Sequence, residues 1–69
     1  MDRAEVLKSI GECCRSWRKS ERMSMKEVGD LMGYSIQAVS RFETGHMNNA
    51  VMLMWYIENG AEVKVRAKK

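Results

Sequence analysis

Between Ala4 and Lys19 the apolar residues Leu7, Ile10, Cys14 and Trp17 recur at intervals of three and four, which gathers them on one stripe of an amphipathic helix. Ser24 followed three positions later by Glu27 forms a capping box, so a second helix is expected from Met25 to Met32. Gly33 supplies a residue able to take positive φ at its end, and Ser35 caps a third helix that runs from Ile36 to about Thr44, with Val39 and Phe42 turned inward. Two helices this close in sequence must meet at a sharp angle. Gly45 stops the third helix, and the polar stretch from His46 to Asn49 reads as a loop. The apolar run Ala50 to Ile57 fits a helix or a strand, and its boundaries, Asn49 as cap and Gly60 as stop, favour a helix from Ala50 to Asn59. Beyond Gly60 the segment Glu62 to Arg66 alternates charge with Val63 and Val65, the period-two pattern of a strand with one buried face. No repeat or linker interrupts the series, so residues 1–69 are expected to form one domain.

Composition narrows what such a domain can do. A chain of 69 residues buries only about 60% of its unfolded surface and is marginal alone, so a partner subunit would help it. The absence of proline and the seven methionines, set against five aromatic residues, suggest uninterrupted helices around a flexible aliphatic core. No apolar run approaches the length of a membrane span, and the charged opening from Met1 to Lys8 lacks the apolar stretch of a signal peptide, which points to the cytoplasm. Cys13 and Cys14 are adjacent and cannot close a useful loop; they are expected to be reduced core residues. With His46 the only histidine, no metal site, catalytic arrangement or phosphate-cradling glycine loop is legible, and neither an enzyme, nor a cofactor, nor a small-molecule ligand is expected. The net charge of +3 is unevenly placed: residues 1–22 carry +2, residues 23–45 carry −1 and residues 46–69 carry +2. Arg15, Arg18, Lys19 and Arg22 fall within two helical turns, and a polyanionic partner is compatible with this distribution.

The stretch MSMKEVGDLMGYSIQAVSRFETG, Met23 to Gly45, resembles the helix-turn-helix of the Cro/cI-type (XRE, lambda-repressor-like) DNA-binding family. Val28, the small Gly29 where helices meet, turn Gly33, Val39, Phe42 and the closing Glu43-x-Gly45 fall in the family's order without a gap, and the resemblance extends over roughly Ile10 to Asn59. It implies an all-α fold of four to five helices with a helix-turn-helix core at residues 24–45, here followed by a short C-terminal β-strand or tail at residues 61–69. It also implies that Arg18 pairs with Glu43 and ties the first helix to the third, the alternative being two unrelated surface charges. A planar guanidinium suits a partly buried bidentate pair better than lysine would.

On the same resemblance the third helix enters the major groove of double-stranded DNA, with Ser35, Ile36, Gln37, Ser40 and Arg41 toward the bases. Gln37 and Arg41 lie four apart on one face; the carboxamide can pair with adenine and the guanidinium with guanine, each discriminating by about 1–3 kcal/mol. Ile36 offers apolar contact only, for instance to a thymine methyl. Phosphate contacts are expected at the start of the second helix, around Ser24, Met25 and Lys26, and from the loop residues His46, Asn48 and Asn49. The family often opens the second helix with Gln; Met25 stands there in this chain, so Lys26 and the backbone must substitute.

The fourth helix has more apolar surface than one core can take. With Met52, Leu53, Tyr56 and Ile57 inward, Val51, Met54 and Trp55 are left for a dimer interface, unless the C-terminal tail folds over them. The ending Tyr56 to Lys69 resembles a subset of the family in which a terminal strand pairs across the dimer axis, which would cover Val63 and Val65; the alternative is a solvated basic tail. Leu31 is expected to pack against the long first helix. These features suggest a homodimeric repressor reading an inverted repeat. A second reading is an antitoxin that binds a toxin protein, through leftover apolar surface or the segment Met1 to Ser9, and autoregulates its promoter. A third keeps the fold without DNA binding.

Overall fold

Asp2 opens the first helix, α1 (Arg3–Ser20), in the computed structural model, which describes residues 2–65. Its carboxylate accepts from the Glu5 backbone N–H at 2.9 Å while the Glu5 side chain accepts from the Asp2 N–H, a capping box not anticipated from the sequence. The expected box at Ser24 and Glu27 starts α2 (Met25–Met32), and Gly33, at φ +81°, ends it. Ser35 caps α3 (Ile36–Glu43), which stops one residue short of Thr44. Asn49 accepts from the Met52 N–H at 2.9 Å and starts α4 (Ala50–Glu58), so the apolar run is a helix and not a strand. The described part of the molecule is thus a small domain of four helices.

α3 is the central element and packs against both α1 and α2. Two glycines permit these approaches. A Cβ on Gly11 would lie 2.5 Å from the Glu43 carbonyl oxygen and 2.6 Å from that of Phe42, so α1 crosses the end of α3 in backbone contact. Gly29 was expected where α2 and α3 touch; a Cβ there would meet the Tyr34 carbonyl oxygen at 2.5 Å and Val39 at 3.4 Å. Cys14, Val28, Val39, Phe42, Met52, Tyr56 and Ala61 form the buried core.

Several expectations about packing are corrected. The core is not simply aliphatic: Phe42 stacks on Tyr56 at 5.6 Å between ring centroids, and Trp17 meets Trp55 and Tyr56 edge-on at 6.0 and 5.9 Å. That cluster draws Trp55 inward, where it is half-buried against the core. Ile57, expected in the core, is 42% exposed, because it lies about 100° round the helix from Tyr56 on the side away from Trp17. Leu31 is 64% exposed and does not pack against α1, since α2 turns Val28, Gly29 and Met32 inward. Cys14 is fully buried, whereas Cys13 is only half-buried, with its thiol 3.7 Å from the Lys64 carbonyl oxygen.

Residues 61–65 follow an irregular path with no strand among the described residues. Ala61 is buried, Val63 packs half-buried against the chain's own core and Val65 is 36% exposed. The physical reason is that a lone edge strand has no ladder partner, and apolar contact with the core takes its place. Arg66 and the rest of the expected tail, to Lys69, lie outside the described residues.

Candidate nucleic-acid interface

The angle between α1 and α3 is held by a buried polar cluster. Arg18 donates from Nε to Glu43 Oε2 at 2.8 Å and from Nη2 to Glu43 Oε1 at 2.9 Å, a bidentate pair with both side chains under 10% exposed. Its remaining Nη1 donates to the Met23 carbonyl oxygen at 2.7 Å, which ties the connection before α2 to the same guanidinium. Tyr56 donates its hydroxyl to Glu43 Oε2, so α4 joins the cluster, a partner the sequence reading did not include. Donating to the Glu43 carboxylate raises the Arg18 pKa further, and burial with the Glu43 contact pushes the Tyr56 hydroxyl above its usual value. Burial, with Cys13 and Glu43 alongside, pushes the Cys14 thiol up to about 12, which makes it a poor nucleophile.

So braced, α3 turns Val39 and Phe42 inward and presents the opposite side outward. Ser35, Gln37 and Arg41 are exposed, Ile36 is 43% exposed and Ser40 is half-buried. Gln37, Ser40, Arg41 and Thr44 share one stripe by helical spacing. The Ser35 hydroxyl is occupied: it accepts from the Ala38 N–H at 3.2 Å and serves as the helix cap.

The residues expected to touch phosphate divide into two groups. The Ser24 hydroxyl accepts from the Glu27 N–H at 3.0 Å and Asn49 Oδ1 caps α4, so both side chains are committed to orienting helix ends. Met25 is half-buried against the core, leaving its backbone N–H, one of those the first turn of a helix does not pair, as the group it can offer. Lys26 is exposed but its Nζ lies 2.8 Å from Asp30 Oδ2, a contact that raises its pKa and offsets its charge locally. Asn48 and His46 are exposed. The Thr44 hydroxyl donates to the Ser40 carbonyl oxygen at 2.8 Å, and its Oγ1 lies 2.9 Å from His46 Nδ1, a contact that ties the loop to the end of α3 and leaves Nε2 outward of it.

A groove of about 510 Å³ links these parts. Met25 at the start of α2 and Ser40 and Thr44 on α3 form part of its wall, and Lys8, Glu12, Arg15 and Lys19 of α1 form the rest together with the Arg18–Glu43 pair. The α1 residues were not singled out as site residues from the sequence; the signal available was their spacing of four, three and four, which places them on one helical face. On α4, Val51, Met54 and Ile57 are exposed, at intervals of three along the helix, and Trp55 is half-buried.

Among the described residues no three His, Cys, Asp or Glu side chains gather to hold a metal, and no helix is long and apolar enough to cross a membrane. Compared with protein-family models, curated proteins and solved structures, the chain finds no match.

Proposed function

We propose that this chain is a sequence-specific double-stranded DNA-binding transcriptional regulator of the Cro/cI helix-turn-helix type, a homodimeric repressor that reads an inverted repeat. The observation that carries the reading is the side of α3 away from the core: a short helix capped by Ser35, with Gln37 and Arg41 exposed one turn apart, clamped at its far end by the buried Arg18–Glu43–Tyr56 cluster. A reading helix needs this combination. Its polar side chains must be free for base edges, while its own orientation must not yield when they bind.

In this reading Gln37 and Arg41 form the bidentate base contacts, Ile36 and Ser40 complete the surface, and the first N–H groups of α2 receive a phosphate, with Lys26, His46 and Asn48 at the flanks. Ser35, Ser24 and Asn49 contribute by aiming helix ends. Self-association rests on the apolar stripe Val51, Met54 and Ile57, exposed at intervals of three along α4. A two-fold dimer places its recognition helices on half-sites about 34 Å apart. Selection of bound duplexes from a random pool tests the proposal. An enriched inverted repeat with that spacing is expected, and a pool that returns without enrichment would overturn it.

A further inference from the structure

The proposed reading leaves the phosphate side poorly supplied with charge. Lys26 is engaged by Asp30, Met25 offers only backbone, and the loop after α3 carries His46 and asparagines instead of lysine or arginine. The groove beside α3 is differently equipped. Lys8, Arg15 and Lys19 line it from one face of α1, all three exposed, with Glu12 between them as the lone acidic side chain not consumed by an ion pair with Arg18.

We propose that this α1 face is a phosphate clamp: a row of cations that holds the sugar-phosphate backbone of the strand passing beside the reading helix. The inference rests on the DNA-binding reading above and adds a site to it. Three features of the groove favour a nucleic-acid backbone over other polyanions. Its α3 wall, Ser40 and Thr44, continues the stripe that carries Gln37, so a duplex seated on that stripe brings its backbone into the groove. Its α2 wall is Met25, where unpaired helix N–H groups already favour an anion. Its α1 wall extends from Lys8 to Lys19, eleven residue steps and about 16 Å of helix, which matches several steps of a strand that carries one charge per about 3.4 Å of axis. Gly11 and Gly45 set this arrangement, because backbone contact between α1 and the end of α3 is what brings Lys8 beside the reading helix: a Cβ on Gly45 would lie 2.7 Å from Lys8 Cα.

A phosphate clamp and a base-reading residue have different signatures. The 69-residue chain is titrated with a fluorescent duplex recovered by selection and with an unrelated duplex of equal length, each from about 50 to 200 mM salt. Arg15→Ala with Lys19→Ala is expected to weaken both duplexes by a similar factor, leaving their ratio unchanged. It should also flatten the slope of log affinity against log salt by about 0.9 per cation removed from each subunit. Glu12→Gln is expected to tighten both duplexes. The substituted side chains are exposed, so thermal melting should match the wild type; Arg15→Gln with Lys19→Gln provides a second pair that keeps helix-forming side chains. A variant with the wild-type salt slope, or one that loses discrimination between the duplexes, overturns the clamp while leaving the base-reading proposal standing. A wild-type chain that binds neither duplex overturns both.

Discussion

Removing the Glu43 carboxylate should unfold the domain or nearly so. Glu43 accepts two hydrogen bonds from Arg18 and one from Tyr56, and its side chain is 2% exposed, so no solvent replaces it. In Glu43→Ala the guanidinium keeps only the Met23 carbonyl as a partner and stays largely buried with its charge uncompensated. Breaking a buried pair from one side costs about 3–5 kcal/mol, and leaving the Tyr56 hydroxyl unpaired adds about 1–3 kcal/mol. Total stability for 69 residues is expected at about 3.5–10 kcal/mol, so the loss is comparable with the whole. Arg18→Met orphans the carboxylate instead and should cost a similar amount. The double substitution Arg18→Met with Glu43→Leu removes both charges and fills the space with apolar groups, and should be far closer to wild type than either single change. Urea denaturation followed by helical circular dichroism at fixed protein concentration gives the three differences and their coupling energy. Single variants within about 0.5 kcal/mol of wild type, the range of ordinary surface substitutions, would refute the reasoning, as would additive effects.

Other consequences follow from the same geometry. Gly11→Ala should destabilise the domain by about 1–3 kcal/mol in the same urea assay despite alanine's better helix propensity, because the new methyl meets backbone oxygens that cannot move aside; Gly33→Ala, with open space but φ +81°, should cost about 1 kcal/mol through backbone strain alone. Stability should be fully present below about pH 9 and fall as pH rises toward 12. Cys14 and Tyr56 are held neutral in the fold, with pKa values above their ordinary 9.0 and 10.0, so the unfolded chain releases those protons first; melting temperatures from pH 8 to 11 should fall, and Tyr56→Phe should flatten the fall above pH 10. Met54→Glu with Ile57→Glu should convert a dimer to a folded monomer by light scattering, and a dimer that survives would move the interface elsewhere.

The helices were legible because their boundaries are written locally. Ser24 with Glu27, Ser35, Asn49 and the terminating glycines each act within four residues of themselves, and the helix ends fall within a residue or two of where these signals place them. Arg18 and Glu43 stand 25 positions apart, so their pairing could be anticipated only from a resemblance, and nothing in the spacing announced Tyr56 as the third member. Which residues of α4 face inward was misjudged by one step round the helix. An almost wholly apolar helix has no polar stripe to mark its outside, and the choice between Trp55 and Ile57 depends on where Trp17 of α1 arrives. The alternating segment Glu62 to Arg66 shows the converse: a period-two pattern specifies a strand only where another strand is available, and in the single chain Val63 finds the core instead. The basic cluster on α1 is visible in the sequence, but its position is not, for a related reason. Its four residues are spaced as helix neighbours, yet their place beside α3 follows from the crossing at Gly11, which is a tertiary fact.

If the exposed side of α3 reads bases, parallel duplex selections with the wild-type chain, Gln37→Ala and Arg41→Ala will differ at defined positions. Each substitution is expected to erase the preference at its own position in both half-sites, with a loss of about 1–3 kcal/mol in discrimination there, while the other positions and the folded state are retained. Identical base preferences in all three selections would contradict it.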